Sequence, residues 1–446
     1  MTSQILSQLR QEFRPNRLLL SLTAGLVSGI VTVIVEISLG TLIFSGDLSA
    51  FVSNGIGLML FGAFVVGIVG AVTSSFSGTV IVPQDSPAVV LALMAAVIAS
   101  DMPAGAMPDD IFFTVVAAII VSSLLAGAFF LALGSFKLGS LIRYVPYPVV
   151  GGFLAGTGWL LVKGAVSVMT DASLAISQLP YLMQAGVLLR WLPGLGFAVL
   201  LLAILRRYGH FMIIPTMVLA AIGLFYVVLW LTRTPVAEAS AQGWLLGPFP
   251  RGALWRPLTM SALGRADWPS VLSQAGNMGT ILIISVISLL LNASGIELTV
   301  QRDVDLNREL RSAGIANLIA GLGGSPTAYH ALSLSALGHR IGANSRLVGL
   351  FSAALCGATL FFGAPLLSFF PKPVLGGLLL FLGLAFLVEW LYDAWFKLSK
   401  ADYAIVLLIL ITIDAVGVLE GVGVGLLLAV VLFVVSYSRI SVAKRN

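Results

Sequence analysis

The sequence predicts an all-α integral membrane protein with fourteen transmembrane segments, arranged as two sets of seven. Hydrophobic residues make up 59% of its 446 residues and charged residues only 10%, whereas soluble domains carry roughly 25% charged residues. Each crossing of the hydrocarbon core takes roughly 20 apolar residues, so the chain has room for many crossings. A fold built around a single soluble core is therefore excluded.

Apolar runs between polar or helix-breaking residues define the predicted segments. In the first half they are Leu18–Phe44, Gly55–Val72, Ser86–Ala99, Ile111–Leu133, Pro148–Met169, Trp191–Leu205 and Met212–Leu231. In the second half they are Met278–Ile296, Ser312–Leu322, Ser325–Leu337, Leu347–Phe362, Pro373–Val388, Ala404–Val416 and Val422–Tyr437. The predicted organisation is a cytosolic lead-in (1–17), a first repeat (18–231), an extracytoplasmic loop (232–275), a second repeat (276–438) and a cytosolic stub (439–446).

Loop charges indicate the orientation of these segments. The loops that carry most lysines and arginines, such as the one with Lys137 and Arg143, all fall on the side of the N-terminus. Basic loops stay in the cytoplasm, which predicts a multi-pass protein of the bacterial inner (plasma) membrane with both termini cytoplasmic. Seven crossings per half would insert the second half upside down, as in transporters built from inverted repeats.

Two pairs of similar stretches support an internal duplication. The stretch Val145–Gly158 matches Phe370–Gly383 at both prolines and at a glycine pair, and each opens the fifth segment of its half. Likewise Ser86–Leu93 matches Ser325–Leu332, and each opens a third segment. Two matches in the same order, at equivalent places, favour a repeat over chance agreement between apolar sequences.

The third segments point to a binding site. Each is long enough to cross only about half of the bilayer and follows glycine- or proline-rich sequence. Ser86 and Ser325 are predicted to cap helices that start at Pro87 and Pro326. Non-helical backbone at membrane depth occurs where it lines a cavity, and two helix N-termini aimed at one point favour an anion. The predicted substrate-binding residues are Ser86, Pro87, Ala88, Ser325, Pro326, Thr327, Tyr329 and His330.

Three acidic residues in apolar surroundings are candidates for binding a coupling ion: Glu36, Asp85 and Glu297. A charged side chain at the centre of a membrane helix costs about 2.5–3.5 kcal/mol on insertion scales, so such residues usually have a function or a partner. Simpler interpretations stay open. Asp85 could complement a helix dipole, Glu297 could lie at the interface near Arg302, and His330 could be a packed core histidine.

Other kinds of site have little support in the sequence. The single cysteine, Cys356, lies in an apolar run, so a cysteine-based metal site is excluded and no metal or cofactor is expected. The sequence contains none of the HExxH, GxxxxGK[ST] or GxSxG motifs, which argues against an enzyme. The net charge of +5 resides in short loops, which indicates membrane topology rather than binding to nucleic acid.

Several motifs resemble the SulP family of anion transporters, also called solute carrier family 26. They are Ile142–Phe153, Asp305–Leu310 with Gly314–Asn317, and Gly323–Pro326. The resemblance implies the inverted-repeat fold shared with uracil transporters, in which a core domain (segments 1–4 and 8–11) moves against a gate domain (5–7 and 12–14). It also implies a substrate site between segments 3 and 10, a homodimer, and substrates such as sulfate, bicarbonate, chloride or dicarboxylates. The resemblance covers the membrane domain and not the cytosolic STAS domain of family members.

Two departures from the family pattern bear on the substrate. The usual Pro-Gln pair of the first segment is replaced in Val35–Ser38, and the usual glutamate of segment 8 falls on Ile287. The leading hypothesis is a secondary transporter of a small inorganic anion, sulfate-like or bicarbonate, in symport with H⁺ or Na⁺. A proton-coupled carrier of a cationic solute, such as a basic amino acid, is the alternative that the three acids favour. A passive anion channel and a non-transporting scaffold are alternatives from other classes.

Overall fold

The computed structural model describes residues 15–438 except 104–105, 141–145, 173, 175, 209, 211, 248–253 and 256–258. In the first half the helices are α1 (Pro15–Ile43), α2 (Val52–Thr73), α3 (Asp85–Asp101), α4 (Pro108–Ser135), α5 (Tyr147–Thr170), α6 (Ala185–Tyr208) and α7 (Ile213–Leu231). In the second half they are α8 (Ala275–Val300), α9 (Leu306–Gly321), α10 (Leu332–Ile341), α11 (Arg346–Phe362), α12 (Lys372–Leu387), α13 (Lys400–Ala415) and α14 (Val418–Ser438).

Each predicted segment contains a helix, which confirms the all-α fold with two sets of seven segments. Within the described ranges, eight helices are long and apolar enough to cross a membrane, judged by length and composition. Helix α12 continues through a π-helical turn at Val388–Tyr392 into Asp393–Lys397. Between the halves lie short helices at Val236–Ala241, Met260–Leu263 and Trp268–Ser273. The predicted lead-in (1–17) and stub (439–446) fall outside the described residues, apart from the first turn of α1.

The starts of the two third-segment helices differ from the prediction. Helix α3 begins at Asp85 with Gln84 as its N-cap, so Ser86 is not the cap. It spans 17 residues, about 25 Å at 1.5 Å per residue, and is therefore longer than half the membrane. Helix α10 begins at Leu332 rather than at Pro326 and has ten residues, about 15 Å. Only α10 has the predicted half-membrane length.

Two short strands explain the late start of α10. Strand β1 (Ile81–Pro83) pairs antiparallel with β2 (Ala328–His330), and all six residues are buried. This pairing satisfies backbone groups that would otherwise lie unbonded at membrane depth. Residues 328–330, which the sequence assigns to the start of a helix, are therefore extended, because they pair with a strand that is distant in the chain.

The chain divides into two compact units, Met1–Ile142 with Lys163–Phe381, and Arg143–Val162 with Leu382–Asn446. In the larger unit α1 packs on α2 and α11, and α4 packs on α9. A Cβ atom at Gly127 of α4 would lie 3.0 Å from the carbonyl oxygen of Gly314, and one at Gly314 would lie 2.9 Å from that of Gly127. Glycine at both positions therefore allows the two backbones to approach, as small residues do between membrane helices.

A glycine next to β1 supports the first mutational prediction. A Cβ atom at Gly62 of α2 would overlap the Oγ of Ser325 and would lie 2.9 Å from the Cγ of Pro83. Overpacking of this kind costs about 1–3 kcal/mol, so we expect Gly62→Ala to lower the thermal unfolding midpoint of the purified protein. The control is Gly279→Ala in α8, where no atom lies within 4 Å of an added Cβ. Equal midpoints for the two variants would contradict the predicted close contact.

Candidate functional site

The predicted third-segment residues meet where α3, β2 and α8 adjoin in the larger unit. Tyr329 of β2 is 1% exposed, and its side chain lies near those of Ser86 and Ser288. Asp85 is half-buried at the start of α3, and its Oδ1 accepts the Ser86 N–H at 2.7 Å. The charge of Asp85 also interacts with the Tyr329 phenol. One carboxylate, one phenol and two hydroxyl groups therefore converge at this point.

The remaining predicted residues of both third segments lie close by. Pro87 and Ala88 are buried in the first turn of α3. Residues Ser325, Pro326 and Thr327 are buried and lead into β2, where the Thr327 carbonyl accepts the Gln84 N–H at 3.3 Å. The structure therefore brings the two third segments together, although as a helix start against a strand rather than as two helix starts.

Glu36 is the second acid of this region. It is fully buried in α1, and within the described part of the chain neither carboxylate oxygen has a hydrogen-bond partner. Glu36 lies near Asp85 and near the Cys356 thiol. An unpaired buried carboxylate is costly unless it binds a proton or a cation. Among the described residues, no lysine or arginine forms an ion pair with Glu36 or Asp85.

Glu297 does not join the other two acids. It is half-buried near the C-terminal end of α8, where its Oε2 accepts the backbone N–H of Val304 at 3.2 Å. Nine residues separate it from Ser288, which is about 13 Å along a helix. The two acids therefore differ: Glu36 is buried without a hydrogen-bond partner among the described residues, whereas Glu297 binds the loop that follows its own helix.

His330 also lies elsewhere than predicted. It is on β2 rather than one turn into a helix, and successive strand residues point to opposite faces. Tyr329 faces Ser86, whereas the Nε2 of His330 lies 2.5 Å from the Oε2 of Glu309 on α9. Both members of this pair are 1% exposed. Sequence analysis missed Glu309 because it stands in a charged stretch that resembles an exposed loop.

Two amide side chains hold β2 in place. Asn317 of α9 donates to the Ala328 carbonyl at 2.7 Å, and its Oδ1 accepts the Ala328 N–H at 2.8 Å. The Nε2 of Gln84 donates to the Tyr329 carbonyl at 2.9 Å. Side chains held by such contacts keep a fixed geometry, which suits a binding site. The position of Tyr329 therefore depends on groups from both halves of the chain.

Comparison with known proteins identifies the family. The model of the sulfate permease family matches residues 18–409. The chain belongs to the sulfate permease family. This result confirms the resemblance found in the motifs and the prediction of a multi-pass membrane protein, and the curated relatives of the chain are named as transporters.

The relatives of this chain are named after different substrates. A vacuolar basic amino acid transporter of Saccharomyces cerevisiae is 27% identical over 339 residues, which cover 74% of this chain and 33% of the yeast protein. The bicarbonate transporter BicA of Picosynechococcus is 24% identical over 396 residues, covering 86% of this chain and 66% of BicA. The chain therefore spans from a third to about two thirds of the length of these relatives.

Solved structures of family members share the fold. The transmembrane domain of a cyanobacterial bicarbonate transporter, BicA, matches with a TM-score of 0.67 and 18% identity, covering 93% of this chain and 98% of that domain. The murine anion transporter Slc26a9 in its inward-facing state matches with a TM-score of 0.75 and 17% identity, covering 97% of this chain and 71% of that protein. At these identities the likeness concerns the fold alone.

Proposed function

We propose that this chain is a proton-coupled transporter of a small solute with a cationic group, of the basic amino acid class. The observation that carries the proposal is the pair of acids, Asp85 and Glu36, near one binding point without an arginine or lysine partner among the described residues. Such a site offers negative charge and so favours a cation. Sequence similarity supports the same class of substrate, because one relative is named a basic amino acid transporter.

The two acids have different roles in this proposal. Asp85 is half-buried and can meet the ammonium or guanidinium group of a bound solute. The hydroxyl groups of Ser86, Ser288 and Tyr329, together with the partial positive charge at the start of α3, suit the α-carboxylate of an amino acid. Glu36 is fully buried and carries the proton.

The charge interaction between Asp85 and Glu36 favours exchange of solute for protons over symport of the two. A cation bound at Asp85 stabilises the ionised form of Glu36 nearby, so binding of solute promotes release of the proton. Protonation of Glu36 in turn removes one of the two charges that attract the solute. Solute and proton then compete for the site, which is the condition for moving in opposite directions.

The remaining features of the proposal rest on the family resemblance and the loop charges. The core moves against the gate in an elevator-type cycle, with the second seven segments inverted relative to the first. The protein forms a homodimer in a bacterial inner membrane, with both termini in the cytoplasm. The predicted domain limits at residues 231, 275 and 438 belong to the same proposal.

A small inorganic anion is the second candidate. The N-terminus of α3 favours negative charge, and other relatives are named bicarbonate or probable sulfate transporters. Uptake into proteoliposomes of labelled arginine, lysine, sulfate and bicarbonate, with and without a pH gradient, separates the two. We expect arginine or lysine to accumulate when the lumen is acidic. Accumulation of sulfate or bicarbonate without either amino acid would refute the proposed function.

A further inference from the structure

A buried acid–base pair lies on the face of β2 opposite Tyr329. The imidazole Nε2 of His330 and the Oε2 of Glu309 are 2.5 Å apart, and both side chains are 1% exposed. The proposed site uses Tyr329 but neither member of this pair. Because adjacent residues of one strand carry both groups, a shift of His330 also shifts Tyr329.

The pair is connected to the loop between α2 and β1. Glu309 accepts hydrogen bonds from the Ser75 N–H at 2.6 Å, from the Ser75 hydroxyl at 2.5 Å and from the Ser74 hydroxyl at 2.8 Å. Ser75 is half-buried, and its Oγ accepts the backbone N–H of Asp305 at 3.3 Å. Closely spaced polar groups therefore run from the buried imidazole to a partly exposed hydroxyl, which gives a proton a way in.

The charged neighbours of the pair bind backbone carbonyls. Arg308 donates to the carbonyls of Thr73 and Ser74, and Arg346 donates to those of residues 71, 72 and 74. On the other elements packed around His330, the strand partner is Ile81, and Asn292 of α8 donates to the His330 carbonyl at 2.8 Å. Within the described residues, Glu309 is the only acid in contact with the imidazole.

We propose that Glu309 and His330 form a proton-binding pair that positions β2, separate from Glu36. With a proton on His330, the two groups form an ion pair that ties β2 to α9 and to the loop after α2. Without that proton the contact between His330 and Glu309 weakens, and β2 is held less firmly against α9. Both are positioning residues that act on substrate through Tyr329. This proposal rests on the proposed function in one respect: Tyr329 belongs to the proposed substrate site.

Hydrogen–deuterium exchange of the full chain, without substrate, tests the pair directly. The backbone amides of residues 79–82 and 328–331 are compared at about pH 5.5 and about pH 8, on either side of the usual titration range of histidine. After correction for intrinsic rates, we expect about tenfold slower exchange at the lower pH, because bonds to charged groups are stronger than neutral ones. His330→Gln keeps a polar side chain but does not titrate, so the pH effect should disappear.

The matched control is His339→Gln on α10. His339 is half-buried, and its Nδ1 lies 2.9 Å from the Oδ1 of the neutral Asn344 rather than near an acid. We expect this variant to retain the pH effect on β1 and β2. Equal corrected exchange at both pH values in the wild-type protein would overturn the proposal, and so would an unchanged pH effect in His330→Gln.

Arginine uptake adds a functional measurement. The pH is varied on one side of the membrane at a time. The apparent KM of the wild-type protein for arginine should depend on that pH, and His330→Gln should weaken the dependence on one of the two sides. A dependence that His330→Gln leaves unchanged on both sides would also overturn the pair's positioning role. If arginine is not carried at all, the proposed function fails, whereas the exchange measurement without substrate still decides the role of the pair.

Discussion

Replacing Asp85 with asparagine is expected to lower kcat/KM for arginine uptake by roughly 100-fold, because removing one member of a buried charge pair costs about 2–5 kcal/mol. Asparagine keeps the size of the side chain and can still accept the Ser86 N–H, which the aspartate does now at 2.7 Å. The loss should therefore reflect charge rather than folding. Initial rates of labelled arginine uptake into proteoliposomes measure it.

Asp101→Asn is the matched control for Asp85→Asn. Asp101 is the last residue of the same helix, α3, and is exposed, with a contact to its neighbour Ser100 at 3.2 Å. Uptake by this variant should equal that of the wild-type protein. If Asp85→Asn transported arginine normally, the carboxylate would serve only to complement the dipole of α3, and the proposed cation site would be wrong.

Replacing Glu36 with glutamine is expected to abolish accumulation of arginine driven by a pH gradient while exchange of arginine for arginine continues. Glutamine has nearly the same shape as glutamate but cannot carry the proton. Exchange should continue with a higher apparent KM, because Asp85 keeps its contacts with the solute while the charge of the buried Glu36 is lost. Counterflow and gradient-driven uptake in the same proteoliposomes separate the two effects.

Glu297→Gln provides the control for Glu36→Gln. Glu297 is also an acid of a first segment, but it binds the N–H of Val304 instead of lying unpaired in the core. Gradient-driven accumulation should therefore persist in this variant. Loss of coupling in Glu297→Gln, with normal coupling in Glu36→Gln, would reverse the assignment of the proton-binding acid.

The sequence was sufficient to predict the helices, because membrane helices require long apolar runs that few other structures need. It was also sufficient to predict that Ser86, Tyr329 and Asp85 belong to one region, since similar helix-breaking residues precede both third segments. These predictions depend on composition and on local chain properties. They did not require knowledge of how distant segments pair.

Features that depend on distant pairing could not be predicted in this way. The start of α10 moved from Pro326 to Leu332 because residues 328–330 pair with residues 81–83, about 245 positions earlier in the chain. That pairing turned His330 away from Tyr329 and toward Glu309. The burial of Glu309 likewise depends on Ser74 and Ser75, which donate to it from another helix end. Local propensity carries no information about such partners.

The central claim is that Asp85 recognises a positive charge on the substrate, and binding of arginine and citrulline to the purified protein tests it most directly. The two amino acids have nearly the same shape, but the side chain of citrulline is neutral. We predict that the wild-type protein binds arginine roughly 100-fold more tightly than citrulline and that Asp85→Asn removes most of this difference. Equal affinity of the wild-type protein for both, or an unchanged preference for arginine in Asp85→Asn, would contradict the account.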